Sequence, residues 1–397
     1  MKTYVVGGAV RDRLLGLPVQ DRDHVVVGAT PEDMIRAGFR PVGKDFPVFL
    51  HPQTSEEYAL ARTERKTAPG YKGFVFHTAA DVTLEQDLVR RDLTINAIAE
   101  DENGVLIDPH GGQRDLQARL FRHVSDAFAE DPVRILRLAR FAARFTDFLV
   151  APETNALMRA MVEAGEVDAL VPERVWQEVA RGLMEQQPSR MFAVLRGCGA
   201  LARLLPEVES LWQLPASNAD QEAGSAGEQM LRVVDVAAQL SEPLPVRYAA
   251  MLQALGALPE GAKAVDSVNR RLKAPNECRD LAVMTAREFG QITGSSGATP
   301  AELVTLLERC DAFRKPERFL ECLEAARCAQ LASTSELSSF PQAQRLHIAL
   351  DAARSVDAGA IAGETRERWP SEPLRIPQAV REARIAAVAN ALMHFSA

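Results

Sequence analysis

The feature that most constrains this chain lies near its start: Gly7-Gly8-Ala9-Val10-Arg11-Asp12, followed after a short interval by Asp21-Arg22-Asp23. Lys2 to Val6 reads as a strand entering the glycine pair, and Val10 to Leu15 has helical character closed by Gly16 and Pro18. A glycine pair between strand and helix lets backbone amides approach a phosphate, and the positive end of the helix adds to the attraction. Gly8 is thus a candidate phosphate contact, with Arg11, one turn on, as a clamp for the same group. If one strand carries Asp21 and Asp23, side-chain alternation puts both carboxylates on one face and Arg22 on the other. Two hard oxygen ligands then converge on a point that suits Mg²⁺, commonly held by one or two carboxylates together with substrate phosphates and water. Either motif alone says little; their order and spacing make the pair specific.

Further along, His24 to Val27 completes a strand, and Thr30-Pro31-Glu32-Asp33 opens a capped helix. Val48 to Leu50 and Glu57 to Ala61 read as an antiparallel hairpin, so a small mixed sheet backed by helices is expected. Arg62 to Lys66 runs into Ala68-Pro69-Gly70-Tyr71-Lys72-Gly73, which fits a lid over triphosphate or RNA and equally a solvated hairpin tip. Leu84 to Ala99 reads as one helix, on which Asp92 and Asn96 share a face beside Arg91. Such a face can hydrogen-bond a ribose 2′-hydroxyl and a phosphate together. Asp108 ends a strand, either as a third metal-facing carboxylate or, the preferred reading, as a turn cap.

A helix expected from about Asp126 contains Glu130-Asp131-Pro132-Val133-Arg134, with Arg137 and Arg140 continuing the arginine stripe and Ile135, Leu138 and Phe141 facing the core. Arginine only donates hydrogen bonds and ionised aspartate only accepts them. A fixed Asp131–Arg134 couple therefore matches a base edge with a ring-nitrogen acceptor beside an exocyclic amine, which cytosine and adenine have. Guanine and uracil mismatch both contacts, and each unpaired buried group costs about 1–3 kcal/mol.

The order Gly-Gly-x-Val-Arg-Asp, Leu14-Leu15-Gly16 and Asp-x-Asp resembles the catalytic signature of the polymerase β-like nucleotidyltransferases, in the branch holding the bacterial tRNA CCA-adding enzymes and poly(A) polymerases. Arg90 to Asn96 is similar to that family's Arg-Arg-Asp-x-x-x-Asn ribose motif, and Glu130, Asp131 and Arg134 to its base-selecting Glu-Asp-x-x-Arg motif. The resemblance implies an α+β head with an all-α neck, body and tail. It further implies template-independent addition of C-C-A to tRNA from CTP and ATP, with release of pyrophosphate. Asp21 and Asp23 would be the catalytic Mg²⁺ ligands. Gly8 and Arg11 would hold triphosphate, Arg91, Asp92 and Asn96 the sugar, Asp131 and Arg134 the base, and Arg137 and Arg140 would add nucleotide contacts. The expected divisions are a head over 1–122, a helical nucleotide-selecting and RNA-binding neck over 123–213, and a body and tail over 230–397, with 214–229 as linker. The alternatives are a poly(A) polymerase of the same branch and a non-catalytic RNA-binding protein.

The rest of the chain bounds these readings. No apolar run approaches the ~20 residues needed to span a bilayer and no signal peptide opens the chain, so a cytoplasmic protein without membrane contact or obligate protein partner is expected. Five cysteines without C-x-x-C spacing read as free thiols. The net charge of −8 falls mostly after residue 145, so RNA must meet local basic patches, Arg270 to Lys273 and Arg314 to Arg318 being the densest. Thr293 to Pro300 reads as a flexible break. Long relatives in the branch carry a metal-dependent phosphohydrolase domain with a His-Asp pair; here Gln253-Ala254 stands in that frame, and no histidine occurs between Val124 and Leu346. A helical remnant without metal ligands or phosphohydrolase activity is expected.

Overall fold

The computed structural model describes residues 1–42, 48–66, 74–77, 79–216, 224–333 and 340–395. It divides into two compact units, Met1–Glu178 with Arg190–Leu204, and Val179–Ser189 with Leu205–Ala397.

The first unit is built on a mixed sheet. In chain order its elements begin β1 Lys2–Val6, α1 Gly8–Leu14, β2 Asp23–Val27, α2 Pro31–Arg36, β3 Arg40–Val42, β4 Val48–Leu50 and β5 Glu57–Leu60. They continue as β6 Thr63–Lys66, β7 Phe74–His77, α3 Leu84–Val89, β8 Ala99–Glu100, β9 Leu106–Ile107 and α4 Gly112–Gln117. Seven strands form the sheet in the order β3-β4-β5-β2-β1-β8-β9. The expected β4–β5 hairpin is present and antiparallel, whereas β5 runs parallel to β2. Val6, Val25, Leu84, Leu88, Ala97 and Ala99 form one apolar cluster, and Val26, Met34, Phe49 and Leu60 another. Alternation along β2 places Val25 and Val26 in the two separate clusters, so the strand is buried on both sides. β6 and β7 pair as a separate ribbon; the Ala68 to Gly73 part of the expected lid lies outside the described residues.

Two expected helices are broken. α3 ends at Val89, and Thr94–Asn96 is a short 3₁₀ turn instead of a continuation to Ala99. Tertiary bonds pull the chain out of helix there: Thr94 N donates to Arg122 O, and Val124 N to Asp92 O. Likewise Asp126–Glu130 is 3₁₀, Asp131 is extended, and α5, Val133–Arg144, starts after Pro132. Helices α6, Pro152–Glu163, and α7, Pro172–Leu183, follow.

The second unit is helical, with its core on Leu244–Leu252, Asn276–Thr293 and Pro316–Leu331. The Thr293 to Pro300 stretch is an ordered connection, not a flexible break: Ser295 is buried in a 3₁₀ turn and Thr299 builds a capping box with Glu302. Both basic patches carry internal ion pairs, Arg271 with Glu207 and Arg314 with Asp311. All five cysteines are free and buried. No helix among the described residues is long and apolar enough to cross a membrane.

Gly112 sits where α4 meets the 3₁₀ turn. A Cβ there would lie 2.2 Å from Thr94 O and 2.8 Å from the Ile98 side chain, so only glycine fits. Gly112→Ala is expected to destabilise the first unit by about 1–3 kcal/mol through overpacking, read by chemical denaturation.

Candidate active site

Strand register brings the two N-terminal motifs together. Val6, the last residue of β1, pairs across the sheet with Asp23, the first of β2, so the Gly7–Gly8 turn lies beside the acids. Gly7 adopts φ 71° and its amide donates to Ile98 O, which ties the turn to the start of β8. Both acids are exposed and line one cavity of about 500 Å³, but Asp21 and Arg22 precede β2, so strand alternation does not separate them and Arg22 lines the same cavity instead of facing away. Glu57 joins the same cavity: it opens β5 in parallel register with Asp23. Sequence reading missed Glu57, whose signal was its place at the head of a strand parallel to the Asp-x-Asp strand. Among the described residues no three acidic, imidazole or thiol groups form a ready-made metal cage. Exposed carboxylates with no imidazole or thiol among them fit Mg²⁺, which shares its coordination with substrate oxygens and water.

Two guanidinium groups flank the glycine turn. A Cβ on Gly7 would stand 3.0 Å from Arg91 Nη1, and one on Gly8 3.6 Å from Arg11 Nη2. Arg91 is held by Asp87 at 3.2 Å. Arg11 is only 3% exposed: Nε donates to Asp12 Oδ1 at 2.8 Å and Nη1 to Asn96 Oδ1 at 2.6 Å. Its ring-facing side lies 5.0 Å from Phe141 and 5.1 Å from Phe145. Burial pulls the Arg11 pKa down, and Asp12 opposes that shift. Arg11 is thus a buried strut beneath the turn as well as a candidate phosphate contact.

The strut continues. Asn96 Nδ2 donates to Asp92 Oδ1 at 2.9 Å, and Arg137 Nε, on α5, donates to Asp92 Oδ2 at 3.0 Å. Although Asp92 and Asn96 share no helix, the 3₁₀ turn still brings them together at the expected spacing. Burial would raise the Asp92 pKa, but Arg137, Asn96, Arg134 and the Leu93 amide outweigh it and hold the carboxyl well below the usual range.

The base-selecting candidates have partners of their own. Arg134 is buried, donating through Nη1 to Ala127 O at 2.9 Å and through Nη2 to Arg90 O at 2.8 Å. Asp131 accepts a two-pronged bond from Arg174 on α7, at 3.1 and 2.8 Å, and one from the Val133 amide at 3.2 Å. Arg140 donates to Glu178, also on α7, at 2.7 Å. Asp131 and Arg134 are therefore each fixed, Asp131 by Arg174 and the Val133 amide and Arg134 by two backbone carbonyls. Arg174 and Glu178, one helical turn apart, were not singled out from sequence. Asp108 accepts from the Gly112 and Gln113 amides at 2.7 and 2.9 Å, which is the capping role preferred for it.

Replacing Asp92 with Asn removes the charge that Arg137 faces. Asp92→Asn is expected to cost about 1–3 kcal/mol at neutral pH. A carboxyl with a depressed folded pKa stabilises above its unfolded pKa and loses that contribution on acidification, so the gap from wild type should narrow below about pH 4 in denaturation curves.

Comparison with known proteins agrees with this geometry. Residues 3–122 match the family model of the poly A polymerase head domain, and residues 147–211 that of the probable RNA and SrmB-binding site of polymerase A. The multifunctional CCA protein of Janthinobacterium sp. (strain Marseille) is 60% identical over 99% of this chain and 98% of its own length. That of Burkholderia multivorans is 60% identical over 99% of both. Among solved structures, the Bacillus stearothermophilus CCA-adding enzyme in complex with CTP superposes with a TM-score of 0.67 at 26% identity, covering 98% of this chain and 88% of that one. The Thermotoga maritima CCA-adding enzyme complexed with tRNA shares the fold, with a TM-score of 0.62 at 23% identity over 99% of this chain and 91% of its own. Two acids beside a glycine turn, on a head that matches at this identity and coverage, place the chain in the family of the bacterial CCA-adding enzymes, the multifunctional CCA proteins.

Proposed function

We propose that the chain adds the 3′-terminal C-C-A to tRNA from CTP and ATP without a nucleic-acid template, releasing pyrophosphate. The observation that carries this is the strand register that pairs Val6, just before the Gly7–Gly8 turn, with Asp23, whose cavity Asp21 shares. Asp21 and Asp23, with Glu57 alongside, would hold Mg²⁺. When bound, that ion supplies a Lewis acid that favours the attacking 3′-hydroxylate and neutralises the pyrophosphate leaving group. The Gly7–Gly8 backbone and Arg91 receive the triphosphate, and Arg11 props the turn from below. Asp92, Asn96 and Arg137 present a fixed polar edge to the sugar.

For the base, Asp131 and Arg134 supply an acceptor and donors held in place by Arg174 and by two backbone carbonyls. A carboxylate has about four acceptor positions, of which the Arg174 fork and the Val133 amide take three. Arg140, clamped by Glu178, lies farther along the same helix as an added nucleotide contact. This reading assigns 1–122 to a catalytic head, 123–213 to a nucleotide-selecting and RNA-binding neck, of which 179–189 and 205–213 belong to the second compact unit, and 230–397 to a docking body and tail whose first helix already begins at Ala226 inside the expected linker, in a cytoplasmic protein. A phosphohydrolase remnant fits the second unit: Gln253 is buried where a His-Asp pair would be needed, and no histidine stands between Val124 and Leu346.

Purified protein with Mg²⁺ should add two CMP and one AMP to a tRNA lacking its terminus, and Asp21→Ala should abolish incorporation while tRNA binding persists. A long tract from ATP alone would instead identify a poly(A) polymerase. Incorporation that survives the substitution would overturn the assignment of the acids.

A further inference from the structure

The cavity beside the catalytic acids has two walls of different origin. One is the approach to β2, including Gln20, Asp21 and Asp23; the other is the β4–β5 turn, with Thr54, Ser55 and Glu57. β5 neighbours β2 on one side, whereas β1 and β8 lie on the other. The groups assigned to the triphosphate, the Gly7–Gly8 backbone and Arg91, belong to the β1 and β8 side, since the Gly7 amide donates to Ile98 O and Arg91 Nη1 to Asn96 O. Nucleotidyl transfer places the attacking and leaving oxygens in line across the α-phosphorus. With the leaving pyrophosphate over β1 and β8, the attacking hydroxyl enters from the β5 side, where this cavity opens.

Charge and chemistry agree with that direction. The lining carries Asp21, Asp23, Glu56 and Glu57 against a single Arg22, a balance that repels a free polyphosphate and tolerates the neutral sugar of a chain end. Gln20, Thr54 and Ser55 add an amide and two hydroxyls, which both donate and accept as ribose hydroxyls require. The turn is also held under strain. Ser55 adopts φ 59°, uncommon for a residue with a Cβ, and its amide donates to His51 O at 3.0 Å. The Thr54 amide donates to His51 Nδ1 at 3.3 Å and its hydroxyl to Glu56 Oε2 at 3.1 Å, so the turn that brings Ser55 to the cavity is fixed.

We propose that this cavity is the subsite for the terminal ribose of the acceptor RNA, with Gln20 and Ser55 as positioning residues for its 2′,3′-diol. The inference rests on the nucleotidyl-transfer reading above. Ser55→Gly removes the hydroxyl and accepts the left-handed backbone without strain, which protects the fold; Gln20→Ala lies on an exposed approach segment. The test is steady-state AMP addition to tRNA ending in two cytidines, compared with the same tRNA carrying a 2′-deoxy terminal residue.

Wild type should prefer the ribose-ended acceptor. In the double variant Gln20→Ala/Ser55→Gly, KM for the acceptor should rise roughly three- to tenfold, as the loss of one or two hydrogen bonds implies, with KM for ATP unchanged and the ribose preference lost. An unchanged acceptor KM with the preference intact, or a rise in KM confined to ATP, would overturn the proposal. Asp21→Ala run in parallel separates the two levels. If wild type incorporates no AMP, the nucleotidyl-transfer reading itself fails; if Asp21→Ala still incorporates it, the assignment of the acids fails; if Asp21→Ala is inactive while the double variant behaves as wild type, only the acceptor subsite fails.

Discussion

The first unit depends on a buried relay of charge and amide: Asp12 to Arg11, Arg11 to Asn96, Asn96 to Asp92, and Asp92 to Arg137. It joins three segments distant in sequence, the helix after the glycine turn, the 3₁₀ turn before β8, and α5. Arg144 closes the relay by meeting the second oxygen of Asp12 at 2.9 Å. A partly satisfied set of such groups would be worse than an apolar core, because each orphaned charge keeps its desolvation cost. Here the bonds run without a gap from α1 to α5, so the relay specifies one arrangement of these elements. Phe141 on α5 and Phe145 just after it cover the Arg11 guanidinium, which is only 3% exposed.

That arrangement explains how a small head can present several kinds of chemistry at one place. The glycine turn needs arginines near it without side chains in the way, and Gly7 leaves that space to Arg91. The acids proposed to take up a hydrated cation are exposed, Asp23 at the start of β2 and Asp21 just before it, outside the apolar clusters. Base discrimination needs fixed groups, because a side chain free to rotate would satisfy guanine and uracil as readily as cytosine and adenine. α7 provides the fixing, with a base toward Asp131 and an acid toward Arg140.

Much of this was legible in the sequence where chemistry depends on near neighbours. Gly8, Arg11, Asp21 and Asp23 fall within one strand, turn, helix and strand, and Asp92 and Asn96 meet at a separation of four with or without a continuous helix. What was not legible depends on distant partners. The helix expected to reach Ala99 stops at Val89 because Leu93 bridges to His123 and Asp92 O accepts from Val124, contacts that local pattern does not reveal. Arg174 and Glu178 find their partners 43 and 38 residues away, and Glu57 becomes a neighbour of Asp23 only when β5 joins the sheet. The glycine-serine run after Thr293 has loop composition, but its turn packs Ser295 into the interior.

If the Asp92–Arg137 bond transmits order from the buried relay to the nucleotide, the two positions are coupled in nucleotide affinity. A double-mutant cycle with Asp92→Asn and Arg137→Met, read in CTP affinity by calorimetry, tests it most directly. A coupling of about 0.5–3 kcal/mol in binding, beyond any coupling in stability, is the result the structure predicts. Additive effects on affinity, with each variant binding CTP as though the other position were untouched, would contradict it.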